Sequence, residues 1–269
     1  MIDFRTVEIS DPVYERDGLR MVTVKSPALK RRADITLYLP PHCKAPVPLV
    51  ILLHGVYGSH WAWAFSGGAH ITAQQMMQGG EIQPIAIAMP SDGLWGDGSG
   101  YFRHTTGVDY ESWIVEEVPA ASALAAPGLV TAASLFLGGL SMGGYGALRL
   151  GAKYAGRFAG ISAHSSLTHP QQLRRLIEEE MAHLGPLDAP ELDPVFWMQQ
   201  NRHVLPPIRF DCGTADELLA ENRAMHERLV AAGIAHEYEE FAGGHDWPYW
   251  REHLRDTLRF CDKVSSKRG

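Results

Sequence analysis

A serine held between glycines is the feature that most constrains this chain of 269 residues. Ser141 is the centre of the pentapeptide G-L-S-M-G at residues 139–143, which follows the apolar run AASLFLG and precedes the helix-prone GYGALRLGA. The order of strand, tight turn and helix puts the serine at the apex of the turn, where it can attack a carbonyl. Glycines are expected beside it because a Cβ on either side would clash in so tight a turn. The motif therefore predicts a nucleophile.

The rest of the chain alternates between strand and helix patterns. Strands are predicted at 20–25, 33–40, 46–54, 85–89, 133–140, 158–163, 207–212 and 236–241, and helices at 69–78, 110–126, 142–154, 171–183, 216–232 and 247–264. Strands separated by helices predict an α/β fold with a mostly parallel central sheet and helices on both faces. The first strands lack intervening helices, so antiparallel strands are expected at the N-terminal edge. We predict one domain over 1–269, with a helical insertion at 165–205 near the site.

The acid partner of Ser141 is expected at the end of a later strand. A serine hydroxyl is a weak nucleophile until a base takes its proton and an acid orients that base. In such sheets the order along the chain is serine, acid, histidine, and ligands bind at the carboxyl ends of the strands. Asp216 lies just past the strand predicted at 207–212 and is the preferred acid, although it could also serve as the N-cap of a helix. Asp211 within the strand and Glu217 within the helix fit less well.

The base is selected from thirteen histidines. His245 follows a predicted strand and lies in the glycine-rich loop FAGGHDW, which can bring an imidazole over the serine. Its neighbour Asp246 would point elsewhere in a regular geometry. His164, His169 and His203 are the alternatives, but none combines the required chain order with a strand end and a glycine loop.

Two backbone N–H groups are expected to stabilise the oxyanion of a tetrahedral intermediate. One belongs to Met142, the residue after the nucleophile. The second is assigned to Val56, because Gly55 after the strand at 46–54 allows the backbone to turn toward Ser141, unless Gly55 only makes a tight turn. Each such donor contributes about 3 kcal/mol to the transition state.

Segments from most of the chain resemble one known family. LLHGVYGSHWAW, IAMPSDG, YESWIVEEV, GLSMGGYGA, CGTADEL and GGHDWPYW, within about residues 18–262, are similar to the putative esterase family, the esterase D / antigen 85-like branch of the α/β-hydrolases. The resemblance implies an α/β-hydrolase fold with Ser141 as nucleophile, Asp216 as acid and His245 as base. It also implies Val56 and Met142 as oxyanion donors.

The leading prediction is a serine carboxylesterase that hydrolyses small or aromatic esters through an acyl-enzyme. The resemblance also leaves a feruloyl or acetyl-xylan esterase, an S-formylglutathione hydrolase-like thioesterase and an acyltransferase as alternatives. The formylglutathione hydrolases carry a serine-glycine pair and a cysteine-bearing stretch where this chain has His54-Gly55 and VYGS at 56–59, which argues against that alternative. A non-catalytic binding module would need a broken triad, whereas all three positions are filled here.

Four tryptophans are candidates for substrate binding. Trp61, Trp63 and Trp95 lie in loops that follow predicted strands, and Trp197 lies in the predicted insertion. Aromatic side chains at a pocket mouth favour apolar or ring-bearing substrates. The alternative is that these side chains fill the core beneath the loops.

Net charge and composition limit the classes of partner and cofactor that this chain is expected to bind. A net charge of −7 and a pI near 6.0 argue against nucleic acid and anionic membranes as partners. Three cysteines without C-x-x-C spacing predict neither a disulfide framework nor a zinc site, and the mechanism requires no metal or cofactor. The first residues carry acids and no apolar signal region, and no run is long enough to span a membrane, so a cytoplasmic location is expected. The expected partner is a small-molecule ester, and the sequence is compatible with a homo-oligomer.

Overall fold

The computed structural model describes residues 2–267, with residues 131–133 described by their backbone only. Its centre is a mixed β-sheet that contains nine strands within these residues. The strands are β1 (Val7–Ile9), β2 (Leu19–Lys25), β3 (Arg32–Tyr38), β4 (Val47–Leu53), β5 (Ala86–Pro90), β6 (Val130–Leu140), β7 (Gly160–His164), β8 (Ile208–Gly213) and β9 (Glu237–Phe241).

The spatial order of the strands is β1-β2-β3-β5-β4-β6-β7-β8-β9. Strands β1, β2 and β3 pair antiparallel, and β3 also runs antiparallel to β5. Only residues 26–31 join β2 to β3, which is too short for the crossover that a parallel pair requires. All the remaining pairs are parallel. The prediction of a mostly parallel sheet with an antiparallel N-terminal edge is confirmed.

Helices cover both faces of the sheet. They are α1 (Ala62–Phe65), α2 (Ala69–Gln78), α3 (Tyr110–Ser112), α4 (Val118–Ala125), α5 (Met142–Lys153), α6 (Pro194–Gln200), α7 (Leu219–Ala231) and α8 (Trp247–Ser266), and a π-helical turn at Trp113–Glu117 joins α3 to α4. One core contains the apolar sides of α2 and α8, and the cores on the other face contain those of α4, α5 and α7. No helix within residues 2–267 is long and apolar enough to cross a bilayer.

The prediction of a helix at 171–183 is wrong. The structure has short 3-10 helices at Pro170–Arg175 and Met181–His183 instead. Tertiary contacts interrupt the helical pattern, because the backbone N–H of Glu178 donates to the side chain of Asp97 and the side chain of Glu179 accepts from the Asp97 N–H. Within the insertion predicted at 165–205, the α-helical part of the described residues is α6.

Candidate active site

Three loops at the carboxyl ends of parallel strands bring Ser141, Asp216 and His245 together. Ser141 directly follows β6, Asp216 follows β8 and His245 follows β9. The hydroxyl of Ser141 lies 3.0 Å from His245 Nε2. His245 Nδ1 lies 2.9 and 3.1 Å from the two carboxylate oxygens of Asp216. Residues separated by up to 104 positions therefore form one hydrogen-bonded chain of hydroxyl, imidazole and carboxylate.

The backbone of Ser141 is held in an unusual conformation. Its φ of 53° and ψ of −120° lie outside the regions that non-glycine residues ordinarily occupy. Hydrogen bonds fix it there: its N–H donates to the His164 carbonyl at 3.0 Å, and its own carbonyl accepts from Tyr145 N–H at 3.1 Å. A Cβ at Gly143 would lie 2.3 Å from the carbonyl oxygen of Leu53, so only glycine fits there. Gly143 is thus required by the tight packing of the turn, as the sequence predicts.

Asp216 is buried, and both of its carboxylate oxygens accept hydrogen bonds. Burial opposes its ionisation, but the hydrogen bonds from His245 and from Leu218 N–H outweigh this effect and lower the pKa of Asp216 below its usual value. The carboxylate therefore accepts the proton that His245 carries on Nδ1. This choice of tautomer leaves an unprotonated Nε2 facing the Ser141 hydroxyl.

The backbone beside Ser141 offers N–H groups without internal acceptors. Among the described residues, the N–H groups of Val56 and Met142 donate to no protein acceptor. Gly55 makes the close approach possible, because a Cβ there would lie 2.9 Å from Leu140 Cδ1 and 3.2 Å from Ser141 Cβ. Both N–H groups are thus available to an oxygen bound near Ser141.

His54 orients the peptide group between Gly55 and Val56. The N–H of Asp92 donates to His54 Nε2 at 3.0 Å, so the ring proton must be on Nδ1. Nδ1–H lies 2.7 Å from the carbonyl oxygen of Gly55 and donates to it. The hydroxyl of Tyr101 holds the His54 carbonyl at 2.9 Å. These contacts fix the plane of the peptide whose other end is the Val56 N–H.

A cavity of about 390 Å³ opens onto Ser141. This volume is within the range typical of small-molecule sites, roughly 300–1,000 Å³. Its apolar lining combines three tryptophans with aliphatic residues, namely Trp61, Trp247 and Trp250 with Val56, Ala62, Leu140 and Leu176. Its polar lining includes Tyr57, Ser66, Glu217 and His245. The hydroxyl of Tyr57 donates to the Leu176 carbonyl, so the segment that precedes Glu178 covers one side of the cavity.

Of the four predicted substrate-binding tryptophans, Trp61 lines this cavity and is 45% exposed. Trp63 is buried, and its indole N–H donates to the Leu53 carbonyl, so it supports the end of β4 from below. Trp95 packs edge-on against His104 at 4.7 Å. Trp197 donates to the Glu191 carbonyl and lies under the ammonium group of Lys153. Trp63, Trp95 and Trp197 therefore do not line this cavity, and their part in substrate binding stays a prediction.

Sequence reasoning missed several residues at the cavity. Trp247 and Trp250 stand two and five positions after His245, a spacing that puts them on the first turns of α8 beside the imidazole. Their proximity to His245 in the sequence was a usable signal. Leu176 reaches the cavity from a segment that was predicted to be helical, and nothing in the local sequence indicated its position.

Of the other candidate acids and bases, Glu217 lines the same cavity, whereas Asp211, His164, His169 and His203 do not. Asp211 and His164 are fully buried and bind each other at 2.8 Å, and His164 Nε2 is 2.7 Å from the hydroxyl of Thr257. This second chain of hydroxyl, imidazole and carboxylate is closed to substrate by its burial. His169 caps a 3-10 helix, and His203 is exposed. Within residues 2–267, no group of three or more His, Cys, Asp or Glu side chains is arranged to hold a metal ion.

Comparison of the sequence with known proteins gives consistent matches. The family described as "Putative esterase" matches residues 26–261. An acetyl esterase from Caldicellulosiruptor saccharolyticus is 32% identical over 231 residues, which are 80% of this chain and 83% of that protein. Esterase Rv1288 of Mycobacterium tuberculosis is 33% identical over 138 residues, and the match spans 40% of this chain and 29% of that longer protein.

Solved structures share the fold. A ferulic acid esterase superposes with a TM-score of 0.77 at 23% identity, over 96% of this chain and 99% of that chain. An S-formylglutathione hydrolase from Staphylococcus aureus gives a TM-score of 0.76 at 18% identity, over 94% and 99%. At these identities the likeness concerns the arrangement of the sheet and helices, which is that of the α/β-hydrolases.

Proposed function

The chain belongs to the putative esterase family and is a carboxylic ester hydrolase, and from this premise we propose that it is a serine carboxylesterase acting on small or aromatic esters through a Ser141–His245–Asp216 triad. The observation that carries the proposal is the 3.0 Å contact between Ser141 Oγ and His245 Nε2, with Asp216 on the opposite nitrogen. Hydroxyl, base and orienting acid at hydrogen-bond distance are what nucleophilic catalysis by serine requires.

In the acylation half, the Ser141 oxygen attacks the ester carbonyl carbon while its proton passes to His245 Nε2. The imidazolium that forms is stabilised by the Asp216 carboxylate, which keeps its hydrogen bond to Nδ1. The carbonyl oxygen becomes an oxyanion that accepts hydrogen bonds from the N–H groups of Val56 and Met142. His245 then returns the proton to the alkoxide that leaves, and the acyl group remains on Ser141.

In the deacylation half, a water molecule takes the place of the departed alcohol. His245 accepts a proton from the water as its oxygen attacks the acyl carbon. Collapse of the second tetrahedral intermediate breaks the bond to Ser141, which recovers its proton from Nε2. The products are a carboxylic acid and an alcohol.

The cavity supports a small acyl group. Its aromatic lining favours apolar and ring-bearing groups, and its volume of about 390 Å³ must hold both the acyl and the alcohol parts of the ester. The relative that is 32% identical carries the name acetyl esterase. We therefore propose acetyl esters as the preferred members of the class.

A series of p-nitrophenyl esters tests this preference. We expect kcat/KM to be highest for acetate or propionate and to fall toward octanoate and decanoate, because the longer chains would meet the side chains around Ser141. In an open apolar channel, each further buried CH₂ would instead favour binding by about 0.8 kcal/mol, and kcat/KM would rise with length. A rising series would contradict the acetyl preference. Methyl ferulate, acetylated xylan and S-formylglutathione in the same assay separate the aromatic, polysaccharide and thioester alternatives.

The role of the Val56 N–H can be tested through His54, since a backbone group cannot itself be substituted. His54→Phe keeps a ring but removes the hydrogen bond that holds the Gly55 carbonyl. We expect kcat for p-nitrophenyl acetate to fall by roughly 10- to 100-fold with little change in KM, because oxyanion donors act mainly in the transition state. His70→Phe is the matched control: His70 is also buried but does not line the cavity, and that variant should keep its kcat. Equal kcat values in the two variants would remove His54 from this role.

A further inference from the structure

A buried carboxylate that takes no part in the triad lies between the loops of Ser141 and His245. Asp211 is on β8 and has no exposed surface. Its Oδ1 accepts a hydrogen bond from the Tyr249 hydroxyl at 2.7 Å, and its Oδ2 is 2.8 Å from His164 Nδ1. The guanidinium of Arg209 lies 2.7 Å from Oδ2. Asp211 thus contacts side chains from two other elements, β7 and α8, besides Arg209 on its own strand.

The contact with Tyr249 leads to the loop that carries His245. Tyr249 lies in the first turn of α8, four residues after His245, and its N–H is capped by the side chain of Asp246 at 3.0 Å. The loop lies directly on the phenol ring, since a Cβ on Gly243 would come within 2.6 Å of Tyr249 Cδ2. A shift of the Tyr249 ring would therefore displace the loop on both sides of His245.

The contact with His164 leads to the turn that carries Ser141. His164 and Asp211 are direct neighbours in the pairing of β7 with β8. The His164 carbonyl accepts the Ser141 N–H at 3.0 Å, and the N–H of the next residue, Ser165, donates to the Asp211 carbonyl at 2.8 Å. The opposite ring nitrogen of His164 is held by Thr257 at 2.7 Å. The peptide that holds Ser141 in its unusual conformation is thus fastened to Asp211.

The protonation states of Asp211 and Tyr249 agree with these hydrogen bonds. Burial alone would raise the pKa of Asp211, but His164, Arg209 and the hydrogen bond from Tyr249 lower this pKa to about 2. Burial and the neighbouring carboxylate raise the pKa of Tyr249 far above its usual value, so the phenol stays protonated and is the donor. Asp211 is therefore ionised near neutral pH and accepts the hydrogen bonds from both Tyr249 and His164.

We propose that Asp211 is a positioning residue that fixes the distance between Ser141 and His245 by holding the Tyr249 hydroxyl on one side and the His164 ring on the other. The inference rests on the catalytic roles proposed above for Ser141 and His245. Hydrogen bonds to a charged, buried acceptor are strong and directional, so the two loops are held in register. Misplacement of a reacting group by about 1 Å can reduce the rate by roughly 100-fold.

Tyr249→Phe is the sharpest test, because it removes one hydroxyl and leaves the ring that packs under Gly243. We expect kcat for p-nitrophenyl acetate to fall by about 10-fold or more with KM nearly unchanged. Tyr154→Phe is the matched control, since its hydroxyl donates to the buried carboxylate of Glu111 at 2.6 Å in a cluster with Arg149 and Lys153. That variant should lose similar thermal stability but keep its kcat.

Asp211→Asn provides a second variant. Its amide can still accept from Tyr249, but its NH₂ group would then face the donors His164 Nδ1–H and Arg209. We expect a larger loss of kcat than in Tyr249→Phe, again with little change in KM. Should this variant not fold, Tyr249→Phe decides alone.

The inference is overturned if Tyr249→Phe keeps the wild-type kcat, or loses no more of it than Tyr154→Phe does. A loss that appears only in KM would overturn it as well. Failure of the proposed function has a different signature, namely wild-type turnover that survives Ser141→Ala. The rate at which a fluorophosphonate labels Ser141 gives an independent readout, and it should fall in Tyr249→Phe in parallel with kcat.

Discussion

Replacing Ser141 by alanine is expected to reduce kcat for p-nitrophenyl acetate by roughly 10⁵-fold or more. The substitution removes the oxygen that attacks the carbonyl, and within the described residues the His245 imidazole reaches no other hydroxyl. The residual rate would come from substrate binding and the oxyanion donors alone. Initial rates measured at substrate concentrations above KM, on protein purified free of host esterases, give the comparison.

The Ser141→Ala protein should remain folded. The hydrogen bonds that hold this turn use the backbone N–H and carbonyl of residue 141, which alanine retains. Circular dichroism and the unfolding midpoint should therefore match those of the wild type, and a fluorophosphonate should label the wild type only. Turnover at a near wild-type rate by the folded variant would refute the assignment of Ser141 as nucleophile.

The second large effect is expected for Asp216→Asn, which should reduce kcat by roughly 10⁴-fold. An asparagine that donates its NH₂ to His245 Nδ1 would move the ring proton to Nε2. That nitrogen faces Ser141, and once it is protonated it cannot accept the proton of the serine hydroxyl. The neutral amide would also fail to stabilise the imidazolium. The measurement is kcat across a pH range, so that a shifted optimum is not mistaken for a lost rate.

Asp246→Asn is the matched control for Asp216→Asn. Asp246 is adjacent to His245 in sequence, but its carboxylate caps α8 by accepting from Tyr249 N–H, and asparagine caps helices about equally well. This variant should keep most of its activity. A larger loss in Asp246→Asn than in Asp216→Asn would reverse the assignment of the acid.

The sequence predicts most strongly what depends on local geometry. The turn around Ser141 is recognisable because its glycines and its flanking strand and helix are contiguous. Asp216 and His245 follow the same logic, since each lies a few residues past the end of a strand, and parallel strands bring such positions to one edge. Eight of the observed strands were predicted to within three residues, whereas β1, with three residues, is too short to give a pattern.

The sequence could not predict the directions in which side chains point from loops and short helices. Trp61 and Trp63 are two residues apart at the start of α1, yet one lines the cavity and the other is buried beneath β4. The helical pattern at 171–183 is overridden by contacts with Asp97, which is about 80 residues away in the chain. Asp211 could be placed within a strand, but its link to Tyr249 appears only when β8 and α8 are packed together.

The position of β9 at the rim of the sheet has a consequence for heat resistance. Among residues 2–267 this strand pairs only with β8, and none of its five residues is fully buried, whereas β6 before Ser141 lies in the interior of the sheet. Proteins open locally at their least stable elements before they unfold as a whole. Fraying of this outer strand would move the His245 imidazole away from Ser141, whose own strand would stay paired. On warming, catalysis would then cease below the melting temperature and return on cooling, so that the edge strand rather than the core sets the upper working temperature.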